Sequence, residues 1–216
     1  MKIGIIGTGN MGRTLGTRWA RAGHAVLFGS RDARKAEEVA RAAAPSARAG
    51  DAAAAAAFGD AILYTVRGVM PSRLLRDPSA LDGKVVIDCN NTDFDPVRGE
   101  FLPAPVPSLA EQVAADLPGA LVVQAFSTIP QPVLALPTER LAARRVSAFL
   151  CSDHAAAKSV VASLASDLGL VPVDSGELRR ARVVNGVVDF IRMHIAILGR
   201  GPFTTISLET IPEEAR

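Results

Sequence analysis

The chain is poor in cysteine, histidine and large aromatics. Its 216 residues include two cysteines, three histidines, one tryptophan and one tyrosine. Cys89 and Cys151 are too few and too far apart for a disulfide framework or a four-ligand zinc site. No H-x-x-x-H spacing or carboxylate cluster is present, so no metal site is expected. No Ser-His-Asp set or paired carboxylates stand out, and no catalytic residue is named. The net charge of +2 leaves no electrostatic footprint for nucleic acid. Long apolar runs are missing too. The longest candidate, Val183 to Leu198, is broken by Asn185, Asp189, Arg192 and His194, whereas a membrane span needs roughly 18 uncharged residues. The N-terminal apolar run stops at Gly7, short of the roughly 7–15 residues in a signal-peptide core. These absences predict a soluble, cytoplasmic protein with reduced thiols and no membrane partner. Lysine occurs only at 2, 35, 84 and 158, leaving 20 arginines. With the many alanines this reads as composition bias, so an arginine is informative only where its context adds something.

What is present is a hydrophobic fraction of 49%, with 18 glycines and 14 prolines. That suits a globular chain with a core large enough to need no staple. Apolar runs at 3–6, 24–28, 48–50, 61–66, 84–88 and 120–125 read as strands. Between them the pattern predicts helices over 10–22, 32–44, 52–57, 70–75 and 108–117. Asp32, Asp51 and Ser108 stand at cap positions, and Ser108 with Glu111 has capping-box spacing. Strands alternating with helices predict an α/β, doubly wound parallel sheet of Rossmann type. The proline-rich stretches 94–107 and 127–137 read as loops. Beyond them come a strand (146–151), a helix (153–168), a strand (171–173) and a long apolar helix (177–198). The expected division is a nucleotide-binding domain over 1–140 and a small C-terminal α/β lobe over 141–216.

Gly7-Thr8-Gly9-Asn10-Met11-Gly12 fits G-x-G-x-x-G and lies directly between a strand and a helix. In that context the motif is a dinucleotide fingerprint. Gly7 allows the tight turn, Gly9 lets a pyrophosphate approach the backbone, and Gly12 lets helix and strand pack closely. Phosphate would then meet free N–H groups at the positive end of the helix dipole. The second strand ends Phe28-Gly29-Ser30-Arg31, without the carboxylate that bonds the ribose 2′-OH of NAD. Ser30 and Arg31 can bind a 2′-phosphate instead, with Arg34 and Lys35 adding positive field, so NADP is predicted over NAD. Asp32 reads as a helix cap.

The other strand tips are Thr65-Val66-Arg67, Asp88-Cys89-Asn90-Asn91 and Ala125-Phe126-Ser127-Thr128. They should line a nicotinamide pocket. Asn90 and Asn91 can hold a ribose or carboxamide, or equally make a turn. Cys89 has no His or acidic partner placed by the sequence to activate it and reads as a buried small residue. A Rossmann chain with no evident proton-transfer residue suits hydride transfer between two bound cofactors, which needs positioning more than acid or base.

Residues 3–12, the Phe28–Arg31 tip and the run from Val122 to Pro130 resemble the F420-dependent NADP oxidoreductases, F420 being a deazaflavin coenzyme. The same segments are similar to the NADPH domain of the six-transmembrane ferric reductases. The resemblance implies that Thr8, Gly9, Asn10 and Met11 bind the pyrophosphate and Ser30, Arg31 and Lys35 the 2′-phosphate. It places Val66 and Ala125 near the nicotinamide, and a deazaflavin or flavin against the Ser127, Thr128, Ile129 and Pro130 loop. Where the F420 enzymes carry a histidine, this chain has Ser127. The expected activity is hydride transfer between NADP(H) and F420 or a flavin. Reduction of a small organic substrate and a non-catalytic NADPH-sensing role are the alternatives. The broad apolar C-terminal helix packs under the sheet or joins two copies, and a homodimer is expected.

Overall fold

A computed structural model describes residues 1–95, 97 and 100–211. Pro96, Arg98 and Gly99 of the expected proline-rich loop, and residues 212–216 of the expected C-terminal lobe, lie outside the described residues.

The first half is built as strand and helix in turn: β1 (Lys2–Ile6), α1 (Asn10–Arg21), β2 (Ala25–Gly29), α2 (Ala33–Ala43), β3 (Arg48–Gly50), α3 (Ala52–Phe58) and β4 (Ala61–Tyr64). Asp32 and Asp51 accept from the backbone N–H of Lys35 and Ala54, capping α2 and α3. The alanine run is therefore a helix, its Ala55 and Ala56 fully buried. Then follow α4 (Pro71–Leu74), β5 (Val85–Asp88), β6 (Phe94–Asp95), β7 (Glu100–Phe101), α5 (Leu109–Asp116) and β8 (Leu121–Gln124). Ser108 and Glu111 close a reciprocal capping box on α5.

Six parallel strands form one sheet in the order β3-β2-β1-β4-β5-β8. This is the doubly wound arrangement, with its switch point between β1 and β4. β1, β2, β4, β5 and β8 are buried on both faces over most of their length, so they read as continuous apolar runs, whereas the edge strand β3 is partly exposed.

After β8 the chain forms α6 (Gln131–Leu134), α7 (Thr138–Ala143), β9 (Ser147–Leu150), α8 (Ala155–Ser166), β10 (Val171–Asp174) and α9 (Ala181–Arg192). β9 and β10 pair in parallel as a separate two-stranded sheet, linked to β8 by an antiparallel bridge between Gln124 and Cys151. One apolar cluster runs from Ile5, Leu15 and Trp19 to Val146, Ala148, Val161 and Leu164. Polar ties reinforce it. Trp19 Nε1 donates to Leu164 O at 3.0 Å, and the Arg18 guanidinium reaches Leu134 O, Leu136 O, Thr138 Oγ1 and Leu168 O. Arg18 is one arginine whose role exceeds composition bias.

Three local expectations change. The stretch 94–107 is not all loop, because Phe94 and Asp95 pair antiparallel with Phe101 and Glu100. The stretch 127–137 holds the helical turn α6. Pro130 precedes it and Pro132 lies in its first turn, where the missing N–H costs nothing. The long C-terminal helix is a 3-10 turn (Leu178–Arg180), then α9, then a π-helical turn (Met193–Ile197).

Candidate nucleotide and hydride-transfer site

The C-terminal ends of β1, β4, β5 and β8 open onto a cavity of about 540 Å³. Its near wall is the glycine loop, with Gly9, Asn10 and Met11 at the surface. Gly7 adopts φ 108°, and a side chain at Gly12 would meet Gly7 O at 2.0 Å. Strand tip and helix therefore touch only because these two positions lack a Cβ. A Cβ on Gly9 would meet nothing within 4 Å, so this position faces open space. Gly9 is the N-cap of α1 and no side chain caps the helix. The first-turn N–H groups, which have no acceptor within the helix, are left for a ligand. Thr65 Oγ1 closes the β1–β4 crevice by donating to Gly7 O at 3.0 Å and Ile6 O at 3.2 Å.

The tip of β2 lies apart from this cavity. Ser30 is half-buried, and Arg31, Arg34 and Lys35 are exposed. The Asp32 carboxylate accepts from Lys35 N at 3.2 Å and the neighbouring Asp51 carboxylate from Ala54 N at 2.7 Å, so both acids are engaged as caps.

The far wall comes from β5, β8 and the C-terminal helix. Phe126 has φ 62°, rare for a bulky residue, and its ring is held edge-on to Trp19 at 5.8 Å. This strained turn swings Ser127, Thr128, Ile129 and Pro130 to the cavity wall. Asn91 Nδ2 donates to Ser127 O at 2.8 Å, and Gln131 Nε2 to Thr14 Oγ1 at 2.8 Å, tying the loop to β5 and α1. Ser127 Oγ is buried with no hydrogen-bond partner among the described residues. Val188, Ile191, Arg192 and Ile195 of the C-terminal helical run also line the cavity. Arg192 donates to Thr92 O at 2.8 Å and Thr92 Oγ1 at 3.1 Å, and stacks over the Phe101 ring at 4.3 Å.

Asn90 sits between the walls. Its amide donates to Asp88 Oδ1 at 2.8 Å and Tyr64 O at 3.2 Å. Asp88 is almost fully enclosed, and desolvation pushes its carboxyl up to about 6 despite the bonds from Asn90. Burial and then Asp88 push the Cys89 thiol far above its ordinary value, which makes it inert as a nucleophile.

Of the residues singled out in the sequence, Gly9, Asn10, Met11, Thr65, Asn90 and Ser127 to Pro130 line one cavity. Gly7 and Gly12 shape its wall from behind. Thr8 is buried, Ala125 is fully enclosed, and Val66 borders a neighbouring hollow beside Met70. Ser30, Arg31 and Lys35 stand at the separate β2 tip. Sequence reasoning missed Phe101, Gln131, Val188, Ile191, Arg192 and Ile195 as wall residues. Val188, Ile191 and Ile195 share one stripe at helical spacing, but that signal equally fits core or dimer packing.

A family model for coenzyme F420-dependent NADP oxidoreductases matches residues 2–92. The F420-dependent NADP reductase of Methanothermobacter marburgensis is 30% identical over 229 residues, covering 99% of this chain and 100% of that protein. The chain belongs to the F420-dependent NADP oxidoreductase family. Metalloreductase STEAP3 of Rattus norvegicus is 31% identical over 187 residues, covering 86% of this chain but 36% of that protein. The chain therefore spans little more than a third of the metalloreductase's length. A crystal structure from Arthrobacter sp. FB24, described as a candidate F420-dependent NADP-reductase, has a TM-score of 0.84 at 26% identity, covering 97% of this chain and 100% of that one. Among the described residues, no helix is long and apolar enough to cross a membrane, and no group of three or more His, Cys, Asp or Glu could hold a metal ion.

Proposed function

We propose that this family member transfers hydride between NADP(H) and a second redox ring, F420 or a flavin, inside the 540 Å³ cavity. The observation that carries the reading is the make-up of that cavity. One wall is an uncapped helix N-terminus behind a glycine loop, and the other is a strained loop and an apolar helix face. The uncapped turn and the space at Gly9 fit a pyrophosphate, with Thr8 to Met11 around it. Ser30, Arg31 and Lys35 hold the 2′-phosphate. Thr65 and Asn90 flank the nicotinamide, and Val66 and Ala125 act as packing beside and beneath it. Ser127 to Pro130, Val188, Ile191 and Ile195 enclose the second ring and exclude water. The nicotinamide supplies the hydride chemistry; the chain's own residues bind and orient.

Homodimer formation belongs to the same proposal. Val183, Phe190, Ile197 and Leu198 on the C-terminal helical run are more than half exposed, an apolar row suited to a second copy. Light scattering should then give twice the 22.6 kDa chain mass. A cytoplasmic location is also proposed, in keeping with two free, buried cysteines. The catalytic reading is tested by NADPH oxidation with F420, FMN and FAD as separate acceptors. Turnover with at least one is expected. No turnover with any would shift the reading to a small organic substrate or to a binding role.

A further inference from the structure

One polar group of the cavity, the Asn90 amide, is fixed by a carboxylate that does not line it. Asn90 has two amide hydrogens, and both are engaged, one on Asp88 Oδ1 at 2.8 Å and one on Tyr64 O at 3.2 Å. The backbone N–H of Asn90 also points to Asp88 Oδ1, at 3.3 Å. Turning the amide over would set its oxygen against a carboxylate and a carbonyl, two acceptors facing a third. The orientation is therefore dictated by chemistry. Only the amide oxygen is left to serve the cavity that Asn90 lines. Asp88 holds this arrangement from the tip of β5, where it is paired in register with Tyr64 on β4 and Gln124 on β8. It is 1% exposed, and its second oxygen has no partner among the described residues. Burying a carboxylate with one oxygen unmet is costly. An apolar residue would serve a strand tip better if packing were the only demand.

We propose that Asp88 is a positioning residue that locks Asn90 as a hydrogen-bond acceptor for the nicotinamide nucleoside of the bound dinucleotide. This rests on the cofactor reading above. The donor is a carboxamide N–H or a ribose hydroxyl, which present the same chemistry to the Asn90 oxygen. A site built this way rejects a ligand that offers only acceptors at that point.

The intact protein is titrated with NADP and with its 3-acetylpyridine analogue, which carries a methyl group in place of the carboxamide NH2. Asn90→Ala should weaken NADP binding about ten-fold, the size of one hydrogen bond. Asp88→Leu should cost the same, and the double variant no more than either single one, because Asp88 acts through Asn90. Asp88→Asn retains an acceptor oxygen and should stay within about three-fold of wild type. A carboxamide donor predicts that the analogue binds wild type weakly and is indifferent to Asn90→Ala. A ribose donor predicts equal losses for both ligands. Should Asp88→Leu not fold, Asp88→Ala takes its place, and should that also fail, Asn90→Ala together with Asp88→Asn decides. Unchanged NADP affinity in Asn90→Ala, or losses that multiply in the double variant, overturn the inference while leaving the cofactor reading intact. A wild-type protein that binds neither ligand overturns both.

Discussion

The two walls of the cavity are made in different ways. The glycine wall is local, with its turn, its helix start and the Thr65 hydroxyl that braces it all near the β1–β4 switch point. It presents backbone N–H groups toward the cavity, with the Thr65 hydroxyl bracing the turn from behind. The far wall is assembled from β5, the β6–β7 pair, the β8 loop and the C-terminal helix, and is held by side chains reaching across up to 117 residues. A backbone-built wall suits a ligand part that does not vary, such as a pyrophosphate. A side-chain-built wall is where one member of a fold can differ from another in its second substrate.

Breaking the near wall should have the largest effect. Gly12→Val drives a side chain into Gly7 O and should lower stability by roughly 3 kcal/mol in urea unfolding. Gly9→Ala meets nothing, so it should leave stability within about 0.5 kcal/mol. It should still weaken NADPH binding at least about ten-fold, because on the proposed reading its Cβ would intrude on the pyrophosphate. A stable Gly12→Val would show that the two elements are not in contact as described.

Asp88 tests the far wall through pH. Its folded value of about 6 lies above the ordinary 3.8, so the folded chain holds a proton that the unfolded chain loses in this window. Its contribution to stability is most favourable below about pH 4 and declines as pH rises through about 6. The full loss is roughly 3 kcal/mol. Asp88→Asn should remove that decline and be the more stable form at pH 8, as read from unfolding midpoints at pH 4 and pH 8. Parallel pH profiles for the two proteins would count against a buried, strained carboxylate.

Smaller effects separate the two ligands. With Arg31 on the 2′-phosphate as proposed, Arg31→Glu should cut the preference for NADPH over NADH at least about ten-fold. It is exposed, so stability should hold. Arg192→Ala removes its contacts to Phe101 and Thr92 and should slow turnover with the acceptor by about three- to ten-fold. NADPH affinity should stay within about three-fold, since Arg192 belongs to the opposite wall. Equal losses in both would mean that the walls are not separable.

This division also explains what could be read from sequence. The sheet, the α2 and α3 caps and the α5 capping box were legible because each signal lies within a few residues, as in Asp32–Lys35, Asp51–Ala54 and Ser108–Glu111. The glycine wall was legible for the same reason. α6 and α7 were not, because proline marks a helix's first turn as readily as a loop. Arg192 and Phe101 were invisible as site residues, since only the fold brings them within 4.3 Å. The Phe126 turn had no local signal either, as no glycine marks its positive φ.

The most direct test of the central claim is a titration of the wild-type protein with NADPH and with NADH under one set of conditions. The Ser30, Arg31 and Lys35 tip, free of a carboxylate for ribose, predicts NADPH binding at least about ten-fold tighter. Equal affinities would contradict it.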